Sequence, residues 1–306
     1  MMKKRKYQPG RILAAVAGAF MAVAACGSAS AQYPEHDITF LVPYSPGGGS
    51  DQQARRLQPG LEEALGVGIR IVYKEGGGGA VGFSELYRSK PDGYTISNVV
   101  VPNIVVTAKG KDVGYKPEDF AYIGMTAQAV GALMVPKDSQ FKTLEDFVTF
   151  AKANPGKVTV AGVGGTGEAN TKKLTDLLGV EISYVPVSGG VGKMIPMLAG
   201  NHVDAGVTSS SHAVRHAATV DTLVIAGDSP SESLPGVPNE SGWKYTTTWG
   251  VMAPPGTPDD IVAKLNDALN KATVPVRKMV IENGLTPMKQ TPAEAKQFIA
   301  NAIAEN

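Results

Sequence analysis

The sequence predicts an α/β fold of two doubly wound sheets with a cleft between them. An apolar strand that runs into a glycine or serine turn and then a helix occurs at least twice in residues 38–101. The same unit occurs three times in residues 158–226. Strands alternating with helices build parallel sheets. A second observation is the break at Pro136, followed much later by a returning strand at residues 247–253. One half of the chain is therefore expected as an insertion within the other. The length, 306 residues, is enough for two domains.

Residues 1–31 read as an export signal. Lys3, Lys4, Arg5, Lys6 and Arg11 carry the start with no acid, and an apolar run covers residues 12–25. That run is short for a membrane span and suits a signal h-region. Ala29-Ser30-Ala31 fits a small-x-small cleavage site, giving a mature start at Gln32. Val23-Ala24-Ala25-Cys26-Gly27 offers the competing lipoprotein box, in which Cys26 becomes residue one. Cys26 is the only cysteine, so an internal disulfide and a cysteine metal site are both excluded. Without the five leader cations, 24 basic residues face 28 acidic ones, a balance of −4. Such a body lacks a footprint for nucleic acid or an anionic membrane. An anion site would have to be local.

After the leader, residues 38–42 form the first strand, which enters Pro43-Tyr44-Ser45-Pro46-Gly47-Gly48-Gly49-Ser50-Asp51. Glycines let backbone N–H groups face a ligand that a Cβ would keep away. A helix expected from Gln52 to residue 65 has Ala54, Leu57, Leu61 and Leu65 on one face, with Ser50 or Asp51 as its cap. Strand, glycine turn and helix start form an anion cradle or a plain capped turn. A second strand follows at residues 69–73, a glycine turn at 76–79, a helix at 80–89 and a strand at 94–101. Asn98 and Asn103 lie at or beyond the C-terminal half of that strand. Residues 120–126 and 132–135 are two further strands, and the first crossing is placed at Pro136.

Thr143 is the expected N-cap of a helix that ends at Pro155-Gly156. The second series then runs: strand 158–161, turn 162–167, helix to Leu178; strand 182–187, turn Ser188-Gly189-Gly190, helix to Ala199; strand 205–208, Ser209-Ser210-Ser211, short helix; strand 223–226. A Pro-, Ser- and Gly-rich connection leads to the returning strand. Thr257-Pro258-Asp259-Asp260 starts a helix with proline in its first position, and Thr291-Pro292-Ala293-Glu294 starts the last one with capping-box spacing.

Gly162-Val163-Gly164-Gly165-Thr166-Gly167 matches the dinucleotide fingerprint literally. The next strand ends Val185-Pro186-Val187-Ser188, without the carboxylate that would hold a ribose, so no nucleotide cofactor is expected. The turn still offers N–H groups and the Thr166 hydroxyl. No P-loop, nucleophile elbow or His-Glu-x-x-His motif occurs. His212 and His216 have metal-ligand spacing but no adjacent acid or thiol, and no metal is expected. Tyr44 and Trp249 are either an aromatic wall or core. Ser50, Thr166, Ser188, Ser209 and Ser210 all sit at strand ends before helix starts. Singly they are caps; together they describe a cleft of neutral donors suited to a carboxylate.

The chain resembles the substrate-binding proteins of tripartite tricarboxylate transporters, the Bug family. Residues 41–51 (LVPYSPGGGSD), PDGYTI, AKANPGKVTVAG, YVPVSGG, MLAGNHVDAG and TTWGVMAPPGTP carry the likeness, from Tyr33 to the C-terminus. The resemblance implies a type II-like two-lobed periplasmic binding protein, closing on a small organic carboxylate with no cofactor. It implies membrane transport subunits as partners, a periplasmic location, and a monomer that does no chemistry on its ligand. The glycine turn carries over to Gly47, Gly48, Ser50 and Asp51, and the opposing turns to Thr166, Ser188, Gly189 and Ser209. Tyr44, Pro46, Asn98, Gly167 and Ser210 complete the expected ligand-binding set. The lobes are expected at residues 32–135 with 250–306, and at 136–249. Many members have a histidine where this chain has Glu168, and a Tyr-Lys-Gly where it has Val187-Ser188-Gly189. Many also have Phe-Asp-Ser at Val207-Thr208-Ser209. The missing charges point toward a monocarboxylate, an aromatic carboxylate or an amide. A periplasmic enzyme using Asp51 or a histidine, and a ligand sensor, are the rival readings.

Overall fold

The computed structural model describes Met2 and residues 33–305. The expected leader, with its Ala31 and Cys26 alternatives, falls outside the described residues. The first half opens with β1 (Ile38–Val42), α1 (Gly49–Leu65), β2 (Ile69–Tyr73), α2 (Ala80–Tyr87), β3 (Thr95–Val101) and α3 (Asn103–Ala108). β1 lies between β2 and β3, parallel to both. Ile38, Phe40 and Val42 point to one face, where they pack with Ala54, Leu57 and Leu61 of α1. Leu41 points to the other, among Phe83 and Leu86 of α2. Covering both faces is what makes β1 apolar throughout.

Residues 120–135 are not two strands. They form one 16-residue strand, β4 (Ala121–Pro136). Its first part pairs antiparallel with β10 (Thr246–Ala253), ending with Val130 opposite Thr246. From Gly131 onward its partners are β7 (Ala205–Ser209) and β8 (Val220–Ala226). The pairing therefore changes hands at residues 130–131, not at Pro136. The small residues Ala127, Ala129 and Gly131 look like a break in the sequence, yet non-local partners keep them extended.

The second half contains α4 (Leu144–Ala153), β5 (Thr159–Val163), α5 (Gly164–Leu178), β6 (Ser183–Val187), α6 (Val191–Ala199), β7, α7 (Ser210–Arg215), β8 and β9 (Asn239–Glu240). Thr143 caps α4 in a full capping box with Asp146. β10, α8 (Asp259–Glu282), β11 (Thr286–Pro287) and α9 (Pro292–Glu305) return to the first half. Pro258 is the N-cap of α8 rather than its first residue, because Thr257 turns back to bond the Pro254 carbonyl. The Thr291–Glu294 capping box opens α9 as expected.

The two halves repeat one layout. The strand order is β2-β1-β3-β10-β4 in one and β6-β5-β7-β4-β8 in the other. Each has three parallel strands followed by one that runs against them, β10 or β4, and a fifth that runs with them again, so the sheets are mixed rather than wholly parallel. The antiparallel members are the crossing strands themselves.

Candidate ligand-binding site

The C-terminal ends of β1, β3, β5 and β7 surround a cavity walled from both halves. Tyr44, Gly48, Gly49 and Ser50 reach it from the first glycine turn, and Asn103, Thr247 and Trp249 from α3 and β10. Val163, Gly167, Gly190, Val191, Thr208 and His212 reach it from the opposite side. The cavity has a solvent-accessible volume of about 50 Å³.

Three helices start at this cavity. The first N–H of α1 with an intrahelical acceptor belongs to Gln52, which donates to Gly48 O at 3.0 Å. The N–H groups of Gly49, Ser50 and Asp51 precede it and lack such acceptors. Gly167 in the first turn of α5, and Gly190 and Val191 at the start of α6, also face the cavity. Each helix start carries a partial positive charge of about half a unit. Ser50 Oγ and His212 Nδ1 are buried on this wall without a hydrogen-bond partner. Among the described residues no Lys, Arg, Asp or Glu lines the cavity. The arrangement can hold an anion by dipoles and neutral donors alone.

Of the expected residues, Tyr44, Gly48, Ser50 and Gly167 reach the wall; the others have different positions. Neither Ser50 nor Asp51 is the cap of α1, since the helix begins at Gly49 with Gly48 as N-cap. Asp51 instead braces the turn. It accepts from Gly47 N–H at 2.8 Å, Tyr73 Oη at 2.7 Å and Arg55 Nε at 2.7 Å. Asn98 stays off the wall, donating to Gln53, which in turn donates to Thr126. It shares a strand face with Val100, which does line the cavity, but lies one pleat deeper, where Gln53 takes up its amide. Ser209 Oγ is within 2.9 Å of Ser211 Oγ, Ser210 is buried off the wall, and Ser188 is exposed. Thr166 Oγ1 is buried without a partner but does not line the cavity. The turn expected at residues 162–167 does not exist as a turn, because β5 runs to Val163 and α5 starts at Gly164.

Pro46 and Gly189 serve the contact between the halves. The Ser45 N–H and hydroxyl both donate to Gly189 O. Gly192 packs so close that a Cβ there would sit 2.2 Å from Pro46 O. Lys193 pairs with Glu75 across the same seam at 3.1 Å. The glycine turns thus do two jobs: some line the cavity and others let the halves meet backbone to backbone.

Asn103, Thr208, Tyr245, Thr247 and His212 were not in the expected set. Trp249 and Tyr44 are both wall and core. Trp249 could have been found through Gly49, where a Cβ would meet its ring at 2.8 Å, but only the fold brings those positions together. His212 and His216 stack with ring centroids 6.3 Å apart. Among the described residues no three His, Cys, Asp or Glu side chains are placed to hold a metal. Burial, with smaller contributions from Arg215 and His216, pushes the His212 pKa down to about 3, so its ring is neutral. Burial pushes the Tyr44 phenol up, so it too stays neutral.

A family model described as the tripartite tricarboxylate transporter family receptor matches residues 53–306. The chain belongs to this family. Protein BugT of Bordetella pertussis is 29% identical over 309 residues, covering 95% of this chain and 94% of BugT. Among solved structures, MatC from Rhodopseudomonas palustris with bound malate is 26% identical, with a TM-score of 0.82. The match covers 89% of this chain and 98% of MatC. R. palustris Rpa4515 with adipate is 25% identical, with a TM-score of 0.83, covering 89% and 95%. Receptors of the tripartite tricarboxylate transporter family are solute-binding proteins of two-lobed periplasmic type, not enzymes, and this chain has that fold and that role. Among the described residues no helix is long and apolar enough to cross a membrane.

Proposed function

We propose that this receptor captures a small organic carboxylate in the cavity between its halves and presents it, in the periplasm, to the membrane subunits of a tripartite tricarboxylate-type transporter. The observation that carries this reading is the convergence of three helix starts and the orphan Ser50 hydroxyl on one cavity without a charged side chain. A carboxylate would satisfy those donors. Malate and adipate bound to the two similar structures belong to the same chemical class. The two binding halves would be residues 33–130 with 246–305, and residues 131–245, following the change in strand pairing. Closure would follow from a ligand that contacts both, since only differential affinity shifts such an equilibrium.

A thermal-shift screen of small organic acids tests the reading. A ligand at a hundredfold excess over its dissociation constant adds about 2.7 kcal/mol to apparent stability. Ser50→Ala is expected to fold normally and to reduce the shift of the best acid. Equal shifts for Ser50→Ala and wild type would place the anion elsewhere.

A further inference from the structure

Resting on the carboxylate reading above, we infer that the cavity selects small monocarboxylates with an uncharged body over dicarboxylates, and that His212 is the residue that sets this preference. The starts of α1, α5 and α6 converge on one cavity, so their dipoles are shared by a single anion placed between them. Beyond it the walls are Val163, Val191, Val207 and Trp249, with Asn103 and Thr208 as neutral polar groups. The deepest titratable side chain on the wall is His212, only 1% exposed. Among the described residues its Nδ1 has no hydrogen-bond partner. Arg215, one turn further along, contributes no atom to the wall, although its Nη1 is buried and unpartnered nearby. The cation that could have met a second carboxylate thus lies behind the wall, and its charge works against protonating His212.

The neutral lining sharpens the selection. A second carboxylate of the same ligand would meet no charged partner on this wall. A second buried charge in a site without a cation is disfavoured. A neutral imidazole can instead exchange one hydrogen bond with a hydroxyl, keto or amide group on the ligand body. Such a pairing also answers the unpartnered Nδ1.

Calorimetry on the exported chain with matched pairs of probes tests this. Lactate is paired with malate, and hexanoate with adipate, so each pair differs by one terminal carboxylate. In at least one pair the monocarboxylate is expected to bind tenfold or more tighter than its dicarboxylate. His212→Gln, which keeps the site neutral, is expected to retain that order. His212→Lys is expected to shift the ratio at least tenfold toward the dicarboxylate. If His212→Lys does not fold, Thr208→Lys places the ammonium on the same wall and carries the same expectation. Dicarboxylates binding wild type as tightly as their partners would overturn the selectivity and leave the carboxylate reading intact. An unchanged ratio in a folded lysine variant would overturn the role of His212. Binding of no probe from either series would overturn the carboxylate reading itself, and this inference with it.

Discussion

Gly192→Ala probes the contact between the halves without touching the cavity. Gly192 is the second residue of α6 and no left-handed backbone is needed there, so alanine suits its conformation. Its Cβ, however, would lie 2.2 Å from Pro46 O and 3.2 Å from Ser45 Oγ. A carbon–oxygen contact settles at about 3.3 Å or more, so the halves would have to part by about 1 Å. Overpacking of this kind costs about 1–3 kcal/mol, and here the cost falls on the closed form alone. If ligand is held only by the closed form, affinity drops by roughly 5- to 150-fold. An open form relieves the clash, so melting without ligand should be unchanged or slightly raised. Calorimetry with the best acid from the screen, beside a melt of the free variant, reads both quantities. Full affinity in the variant would refute closure as the source of binding. A marked loss of stability in the free variant would mean that the seam is permanent core and not a contact that opens.

Asp51→Ala removes the acceptor for three hydrogen bonds at a buried position. Unpaired donors cost about 1–3 kcal/mol, so a lower melting temperature and weaker ligand binding should appear together; loss of affinity at full stability would mean that Asp51 touches ligand directly. His212 makes stability depend on acid. In the folded chain its pKa falls to about 3, whereas the unfolded ring titrates near 6.5. The unfolded state therefore takes up the proton first, so stability is full above about pH 6.5 and falls as pH drops toward the folded value. At pH 5 the penalty approaches about 2 kcal/mol. His212→Gln should lose less stability than wild type between pH 7 and pH 5, and parallel pH profiles by chemical denaturation would contradict the buried neutral ring. Trp249 lines the cavity while Trp243 is buried among Phe147, Leu174 and Tyr245 in the second half. Ligand should change the fluorescence of wild type and of Trp243→Phe but not of Trp249→Phe; the reverse pattern would move the site.

Much of this molecule follows from local chemistry in its sequence. The strands at residues 38–42 and 69–73, and the capping boxes at Thr143 and Thr291, rest on alternation and on neighbouring hydrogen-bonding groups. The glycine turn at residues 47–49 marked a place of close backbone approach, and Gly48 and Gly49 of it do line the cavity. Family membership was also legible, since order and spacing of short motifs survive where single positions vary. Other features belonged to tertiary structure. β4 stays extended through small residues because β10 holds one end and β7 and β8 the other, contacts more than seventy positions away in sequence. Asn98 and Asp51 turned inward to partners 45 and 22 residues away, so their polarity signalled bracing rather than recognition. His212 and Thr208 of the second half reach the cavity that Ser50 and Trp249 line only through the packing of one half on the other. Sequence periodicity records which face of an element is apolar; which distant element that face meets is decided by packing, and the cavity wall is made of such meetings.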